Sequence, residues 1–269
     1  MSGLPDPAGI TSVLVPVDPD DGDGRAAEAA VEVAAELAQR AGATVTLVAV
    51  DPQAVPLADP HRFLEALAEG PSGGPAVATR VDVTTTSVAG HLARTPEPGE
   101  IVCMATHGRT RLGALVLGSV ADAVVRRATA PVLLVGPRRQ PVDLGRPVVA
   151  ALDGSERDSG VVAAAAGWAK ALGVELVVTT VVTAPSDPLG WVAADEVLAA
   201  AVDEAGGLGV TATVDPVAAG DPVSGLLAAT DGAGCIVVGS RRRSAVQAVT
   251  SSTVHDLVRR SPVPVLVAP

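Results

Sequence analysis

The stretch IVCMATHG, Ile101 to Gly108, is followed by nine residues and then by GSVADAVVRR, Gly118 to Arg127. The apolar run Ile101-Val102-Cys103-Met104 predicts a buried strand. Ala121, Val124 and Val125 predict a helix that Pro131 prevents from running on. Between them lie Gly108, which lets backbone approach an anion closely, and Gly118-Ser119, where the helix begins. Free N–H groups and the positive end of the helix dipole favour phosphate at such a place. A strand whose carboxyl end carries two phosphate-facing backbone elements predicts an open α/β sheet with a nucleotide site.

Outward from this stretch, the chain reads as alternating strands and helices. Towards the amino end, Ile10–Val17 is a short Val/Leu-rich strand and Arg25–Arg40 an alanine-rich helix ended by Gly42. Thr44–Val50 is a second strand, and together the three make a βαβ unit. His61–Ala68 reads as a short helix and Val77–Thr86 as a third strand. Ser87 caps a short helix to about Arg94. Pro131–Val135 is the fifth strand, and Pro137–Pro147 a linker.

After the linker the pattern restarts. Val148–Leu152 and Asp153 repeat the first strand and Asp18, 135 residues on, and Thr253 repeats Ser119, 134 residues on. That spacing is a tandem duplication of a whole domain. The second copy reads as a helix over Ser159–Leu172, a strand over Val174–Val182 and a helix over Ala194–Ala205. A strand over Val210–Val217 and a helix from Asp221-Pro222 to about Thr230 follow. A strand Ile236–Gly239, a helix Val254–Arg260 and a strand Pro264–Val267 complete it. The predicted domains are residues 1–138 and 146–269. Each is an open five-stranded parallel sheet with helices on both faces, a doubly wound Rossmann-like α/β fold. The two fifth strands are bare apolar edges. We expect them to pair antiparallel within one chain as an intrachain pseudo-dimer, or else with a second molecule as a homodimer.

The spacing Ala105-Thr106-His107-Gly108, nine residues, Gly118-Ser119 resembles the phosphate motif of the universal stress protein family, Gly-two-Gly-nine-Gly-Ser/Thr. Alanine stands at the first glycine. The resemblance covers nearly the whole chain, twice over. It implies that ATP, with or without Mg2+, binds in the first copy. Pro16, Val17 and Asp18 would flank the adenosine, and Ala49 and Met104 would give the base apolar contact. Ala105, His107, Gly108, Arg109, Gly118, Ser119 and Val120 would surround the phosphates. In the second copy Gly239 holds the first position, but Arg242 and Ser252 replace the other two glycines, so that copy reads as degenerate. The implied role is an ATP-binding regulator of stress or dormancy.

Other functions find less support. No base and nucleophile accompany the phosphate loop, so slow ATP hydrolysis or autophosphorylation at Ser119 or Thr106 is the most catalysis expected. A protein-interaction module without nucleotide is the alternative, and an adenylylating enzyme a third class. Gly22-Asp23-Gly24 through Ala27 mimics a dinucleotide fingerprint, but Asp20, Asp21 and Asp23 would repel a pyrophosphate. There is no GxxxxGK[ST] and no GxSxG. The chain of 269 residues carries a net charge of −11, against clustered positive charge only at Arg241-Arg242-Arg243, so nucleic acid is not expected as a partner. Cys103 and Cys235 lie in apolar runs without metal-ligand spacing and read as buried free thiols. No basic leader or long charge-free apolar run points to a membrane, so a cytoplasmic location is expected.

Overall fold

A computed structural model of the chain describes residues 9–18, 25–51, 64–65, 68, 74–94, 96–106, 118–137, 141, 143–240 and 251–269. The first copy contains β1 (Ser12–Val17), α1 (Arg25–Ala41), β2 (Thr44–Asp51), β3 (Val77–Val83) and α2 (Val88–Leu92). It continues with β4 (Glu100–Ala105), α3 (Ser119–Arg127) and β5 (Val132–Val135). The second contains β6 (Val148–Leu152), α4 (Asp158–Leu172), β7 (Leu176–Val182), α5 (Pro188–Gly207), β8 (Ala212–Val214) and β9 (Val217–Ala218). It ends with α6 (Pro222–Ala229), β10 (Cys235–Gly239), α7 (Ser251–Arg260) and β11 (Val265–Ala268). The predicted helix His61–Ala68 falls largely, and the Gly22-Asp23-Gly24 part of the fingerprint-like stretch wholly, outside the described residues.

The strands form one sheet in the order β3-β2-β1-β4-β5-β11-β10-β6-β7-β8, with β9 paired to β7. Pairing is parallel within each copy. The fifth strands β5 and β11 pair antiparallel, with Leu133 opposite Leu266. Each copy is thus wound on both faces of its half of a continuous sheet, the α/β architecture read from the sequence. Leu133, Leu134 and Leu266 are fully buried at the junction. A parallel sheet must be covered on both faces, and two apolar clusters do so. One packs α1, α4 and α5 on one face; the other packs α2, α3, α6 and α7 on the opposite face.

Helix ends follow local chemistry. Gly42 takes φ +68° after α1, and the Ala43 N–H donates back to the Ala38 carbonyl at 2.8 Å. Gly173 does the same after α4, with the Val174 N–H on the Ala169 carbonyl at 3.0 Å. Only glycine reaches that left-handed conformation without strain, so both copies stop these helices by one device. Ser87 accepts from the Gly90 N–H and caps α2 as read from the sequence.

Two elements of the second copy differ from the sequence reading. Helix α5 begins at Pro188 rather than Ala194, because Asp187 accepts from the Leu189 N–H and Pro188 occupies the first turn. The third strand is broken into β8 and β9 at Asp215-Pro216, where proline cannot donate to the ladder. In the first copy β3 stops at Val83, and Thr84–Thr86 form a turn closed by their own hydroxyls.

Candidate functional site at the strand carboxyl ends

In each copy the connections leave neighbouring strands on opposite faces. Strand β1 leads to α1 on one face and β4 to α3 on the other; β6 leads to α4 and β10 to α7 in the same way. The sheet order reverses between these strands, and a crevice opens outside their carboxyl ends. The β1–β4 register runs from Ser12–Glu100 to Leu14–Val102 and the β10–β6 register from Cys235–Val148 to Val237–Ala150. Pro16, just beyond, has no N–H to extend the ladder towards β4.

In the first copy Pro16, half-buried, and Met104, buried on the α3 face, lie near the carboxyl ends of β1 and β4. Asp18 is exposed at the end of β1. Thr106, buried just after β4, accepts from the Gly118 N–H at 2.9 Å through its carbonyl, which fixes where α3 starts. A Cβ on Gly118 would lie 3.1 Å from that carbonyl oxygen, so glycine permits the close approach. Gly118 is the N-cap of α3 and makes no side-chain capping bond. Among the described residues no side chain caps the first-turn N–H groups at exposed Ser119 and Val120, and such groups take an acceptor from outside the helix.

The predicted residues do not all meet on one face. Val17 and Ala49, paired in register across β1 and β2, are buried in the α1-side cluster. Met104 belongs to the opposite cluster, with Val48 and Val50. The Ala49 side chain is fully buried and faces away from α3, while Val50 shares the face of Met104. Ala105 is half-buried and packs against the α1-side cluster. His107, Gly108 and Arg109 lie outside the described residues, as do Arg241–Arg243; of Ser252 only the backbone is described, in α7.

The second copy has a cavity of about 400 Å³ at the corresponding place, lined by Leu152, Asp153, Thr180, Val238, Gly239 and Thr253 among others. That volume falls within the range of ligand pockets. Asp158 accepts from the Asp153 and Gly154 N–H groups at 3.2 and 2.9 Å and thereby shapes the turn after β6. Burial pushes its carboxyl above the ordinary value; the Gly154 N–H opposes this and Glu204 adds to it. The Arg157 guanidinium donates to the Ser240 carbonyl at the end of β10, so a cation stands inside this crevice. Arg157 and Asp158 escaped the sequence reading. Asp153-Gly154-Ser155 was visible, but an Arg–carbonyl contact across 83 positions leaves no local signal.

Among the described residues there is no group of three or more His, Cys, Asp or Glu able to hold a metal ion. Cys103 and Cys235 are buried and free. Burial pushes both thiols up, Cys235 to about 12 and Cys103 further. Among the described residues no helix is long and apolar enough to cross a membrane.

The model of the universal stress protein family matches residues 9–136 and again residues 145–269. The chain belongs to the universal stress protein family. Its fold is similar to that of a universal stress protein from Archaeoglobus fulgidus DSM 4304, at 21% identity, 96% coverage of this chain, 97% of that one and a TM-score of 0.63. A protein of Pseudomonas aeruginosa UCBPP-PA14, described as a universal stress protein, is 18% identical with 97% and 94% of the two chains covered and a TM-score of 0.61. A single-domain universal stress protein solved in complex with cAMP is 25% identical over 47% of this chain and 99% of that one, with a TM-score of 0.41. No curated protein is similar enough to this chain to count as a match. A universal stress protein from Archaeoglobus fulgidus is solved in complex with dAMP, at 23% identity over 47% of this chain and 100% of that one, with a TM-score of 0.41.

Proposed function

We propose that this universal stress protein is an ATP-binding regulator whose nucleotide sits mainly in the crevice of the first copy. The observation that carries the reading is the start of α3: a glycine N-cap pressed against the Thr106 carbonyl, with no side-chain cap. A helix end of this kind suits a phosphate, which accepts the free N–H groups and lies in the favourable field of the dipole. Ser119 adds a hydroxyl donor, and Val120 a further N–H. Gly108, with its sequence neighbours His107 and Arg109, would join them at the phosphates, as the family motif implies. Met104, Pro16 and Val50 provide apolar surface for the base, and Asp18 accepts from base or ribose. Val17 and Ala49 contribute through backbone and packing. Mg2+, when present, would screen the polyphosphate.

A regulatory role follows from binding without chemistry. The crevice offers donors and apolar surface, and among the described residues no base is positioned against a nucleophile. Slow hydrolysis or transfer to Ser119 or Thr106 would be a by-product of binding. The second copy would bind nucleotide far more weakly. Arg242 and Ser252 stand where the phosphate-facing glycines should be, and each charge-assisted hydrogen bond lost costs about 1.5–3 kcal/mol, tenfold in affinity for every ~1.4 kcal/mol.

Gly118→Asp tests the assignment. It puts a carboxylate and a side chain where phosphate must approach and presses the new Cβ on the Thr106 carbonyl. We expect ATP affinity to fall at least 100-fold, as read by equilibrium dialysis, while Ser252→Gly leaves it unchanged. Undiminished binding in Gly118→Asp would move the nucleotide elsewhere. If neither ATP, ADP, AMP nor cAMP binds the wild type, and none co-purifies by mass spectrometry, the interaction-module reading replaces this one. The substitution of Ala105 for the first motif glycine is the feature that favours that alternative.

A further inference from the structure

The two ends of the sheet are finished differently. At the second-copy end stands β8, three residues long, and the chain breaks at Asp215-Pro216 before β9. Short strands and proline blunt an edge. At the first-copy end stands β3, Val77–Val83, seven residues without proline or glycine. Among the described residues it has a strand on one side only. Its ladder to β2 uses alternate residues. The Val45 N–H donates to the Ala76 carbonyl at 3.0 Å, and the Thr84 N–H to the Asp51 carbonyl at 2.9 Å. Even-numbered residues therefore bond to β2, and Val77, Thr79, Val81 and Val83 turn their N–H and C=O groups outward. Val77, Thr79 and Val83 are exposed, Val83 to 57%. Such a row of outward groups is a template for another strand.

The side chains select the partner. In register with Val48 and Val50, Arg80 and Asp82 lie on the α2 face. They form an ion pair at 3.0 Å, and His91 of α2 approaches Asp82 at 2.9 Å. We propose that β3 pairs antiparallel with β3 of a second molecule of this chain, about a two-fold axis between the two Val81 residues. Outward-facing residues then meet in hydrogen-bonded pairs, Val81 with Val81 and Thr79 with Val83, each pair exchanging two backbone bonds. Arg80 falls opposite the second molecule's Asp82, in the closer non-hydrogen-bonded pair, and the four charges alternate in sign around the axis. Centring the axis on Arg80 or on Asp82 would set like charges face to face, which is destabilising. The edge is thus complementary to itself in one register, and this is why its occupant is a second molecule rather than an unrelated strand. Nothing in the pairing depends on nucleotide binding.

Sedimentation velocity on the full-length protein reads the pairing. One strand pair is a small interface, so we expect dimer to form only at about 10–100 μM. Thr79→Pro removes an outward N–H and leaves the ladder to β2 intact, a change that edge strands tolerate. It should weaken dimerisation about tenfold or more, through bonds lost on both sides of the axis, while the monomer stays folded. Cross-linking reads the register. Cys103 and Cys235 are buried and free, so an introduced cysteine is the accessible thiol. Val81→Cys would face itself at a Cα separation of about 5.5 Å, inside the disulfide range, and should give a disulfide-linked dimer under mild oxidation. Val83 is more exposed but faces Thr79, so Val83→Cys should cross-link at least about fivefold more slowly. A wild-type chain that stays monomeric at about 200 μM would overturn the proposal and leave the edge to a strand of another protein or to solvent. Undiminished dimer in folded Thr79→Pro would overturn it too, as would Val83→Cys linking as fast as Val81→Cys, because the dimer would then use another surface or register.

Discussion

The two copies share strand order, helix ends and crevice position, and they differ in the chemistry at the crevice. In the first, the Thr106 carbonyl after β4 accepts from Gly118, the N-cap of α3, which makes no side-chain capping bond. In the second, the crevice holds an Arg157 guanidinium bonded to the Ser240 carbonyl, and Asp158 closes the turn after β6. The scaffold is kept by burial: the two fifth strands each supply half of an antiparallel junction, so neither copy can lose its core without damaging the other. The residues proposed to face phosphate contribute little to that core. The proposed difference between the two sites can therefore exist on one scaffold.

The comparison breaks most visibly at the thiols. Cys103 on β4 and Cys235 on β10 are buried at positions that the repeat does not make equivalent. With Cys235 raised from 9.0 to about 12, its thiolate at pH 8 should be roughly a thousandfold scarcer than for a free cysteine. Both thiols should therefore resist iodoacetamide until the chain unfolds, and should then be labelled at the same rate. Labelling of Cys235 while Cys103 stays protected would mean that the second copy opens alone. The linkage has a definite sign. Both folded values lie above the unfolded one, so the native state holds these protons more tightly. Their contribution to stability is complete below about pH 9 and declines as pH rises towards 12. A Cys103→Ala, Cys235→Ala variant should lose less stability than the wild type between pH 9 and pH 11 in urea titrations.

Next in size is the junction. Leu266→Ala removes a fully buried side chain between the copies and should cost about 2–5 kcal/mol. Because the sheet is continuous, the loss should appear as a shift of a single unfolding transition. Two separated transitions, only one of them shifted, would show that the copies fold independently. Gly136→Ala should cost about 1–3 kcal/mol by overpacking, since its Cβ would clash with the Val258 carbonyl oxygen on α7. An unchanged midpoint would mean that the end of β5 moves freely against the second copy.

Much of this architecture was legible in the sequence because it rests on local signals. Gly42 and Gly173 mark helix ends, Ser87 marks a cap, and the 134- to 135-residue repeat marks two domains. The signal for α5 was also local, since Asp187-Pro188 is the same cap-and-proline pair as Asp221-Pro222, and the reading passed over it. The face of Ala49 was not legible. Strand β2 is buried on both sides, so Val45 to Val50 shows no apolar–polar alternation strong enough to say which residues face α3. The second crevice was hidden for another reason, because Arg157 and Ser240 meet only through the fold.

The smallest effect concerns the bridge between the two motif helices. His255 on α7 approaches Asp122 on α3 at 3.0 Å, and Asp122 also pairs with Arg126. Both side chains of the His–Asp pair remain partly exposed, so Asp122→Asn should cost no more than about 1 kcal/mol. A double-mutant cycle with His255→Gln measures the coupling, and additivity of the two changes would show that the pair does not join the copies.

The stoichiometry of ATP binding tests the difference between the copies most directly. Calorimetric titration of the wild-type chain should give one ATP per chain at micromolar concentration, with no second site of comparable affinity. Two equivalent sites would contradict the account, because they would mean that Arg242, Ser252 and Arg157 leave the second crevice as receptive as the first.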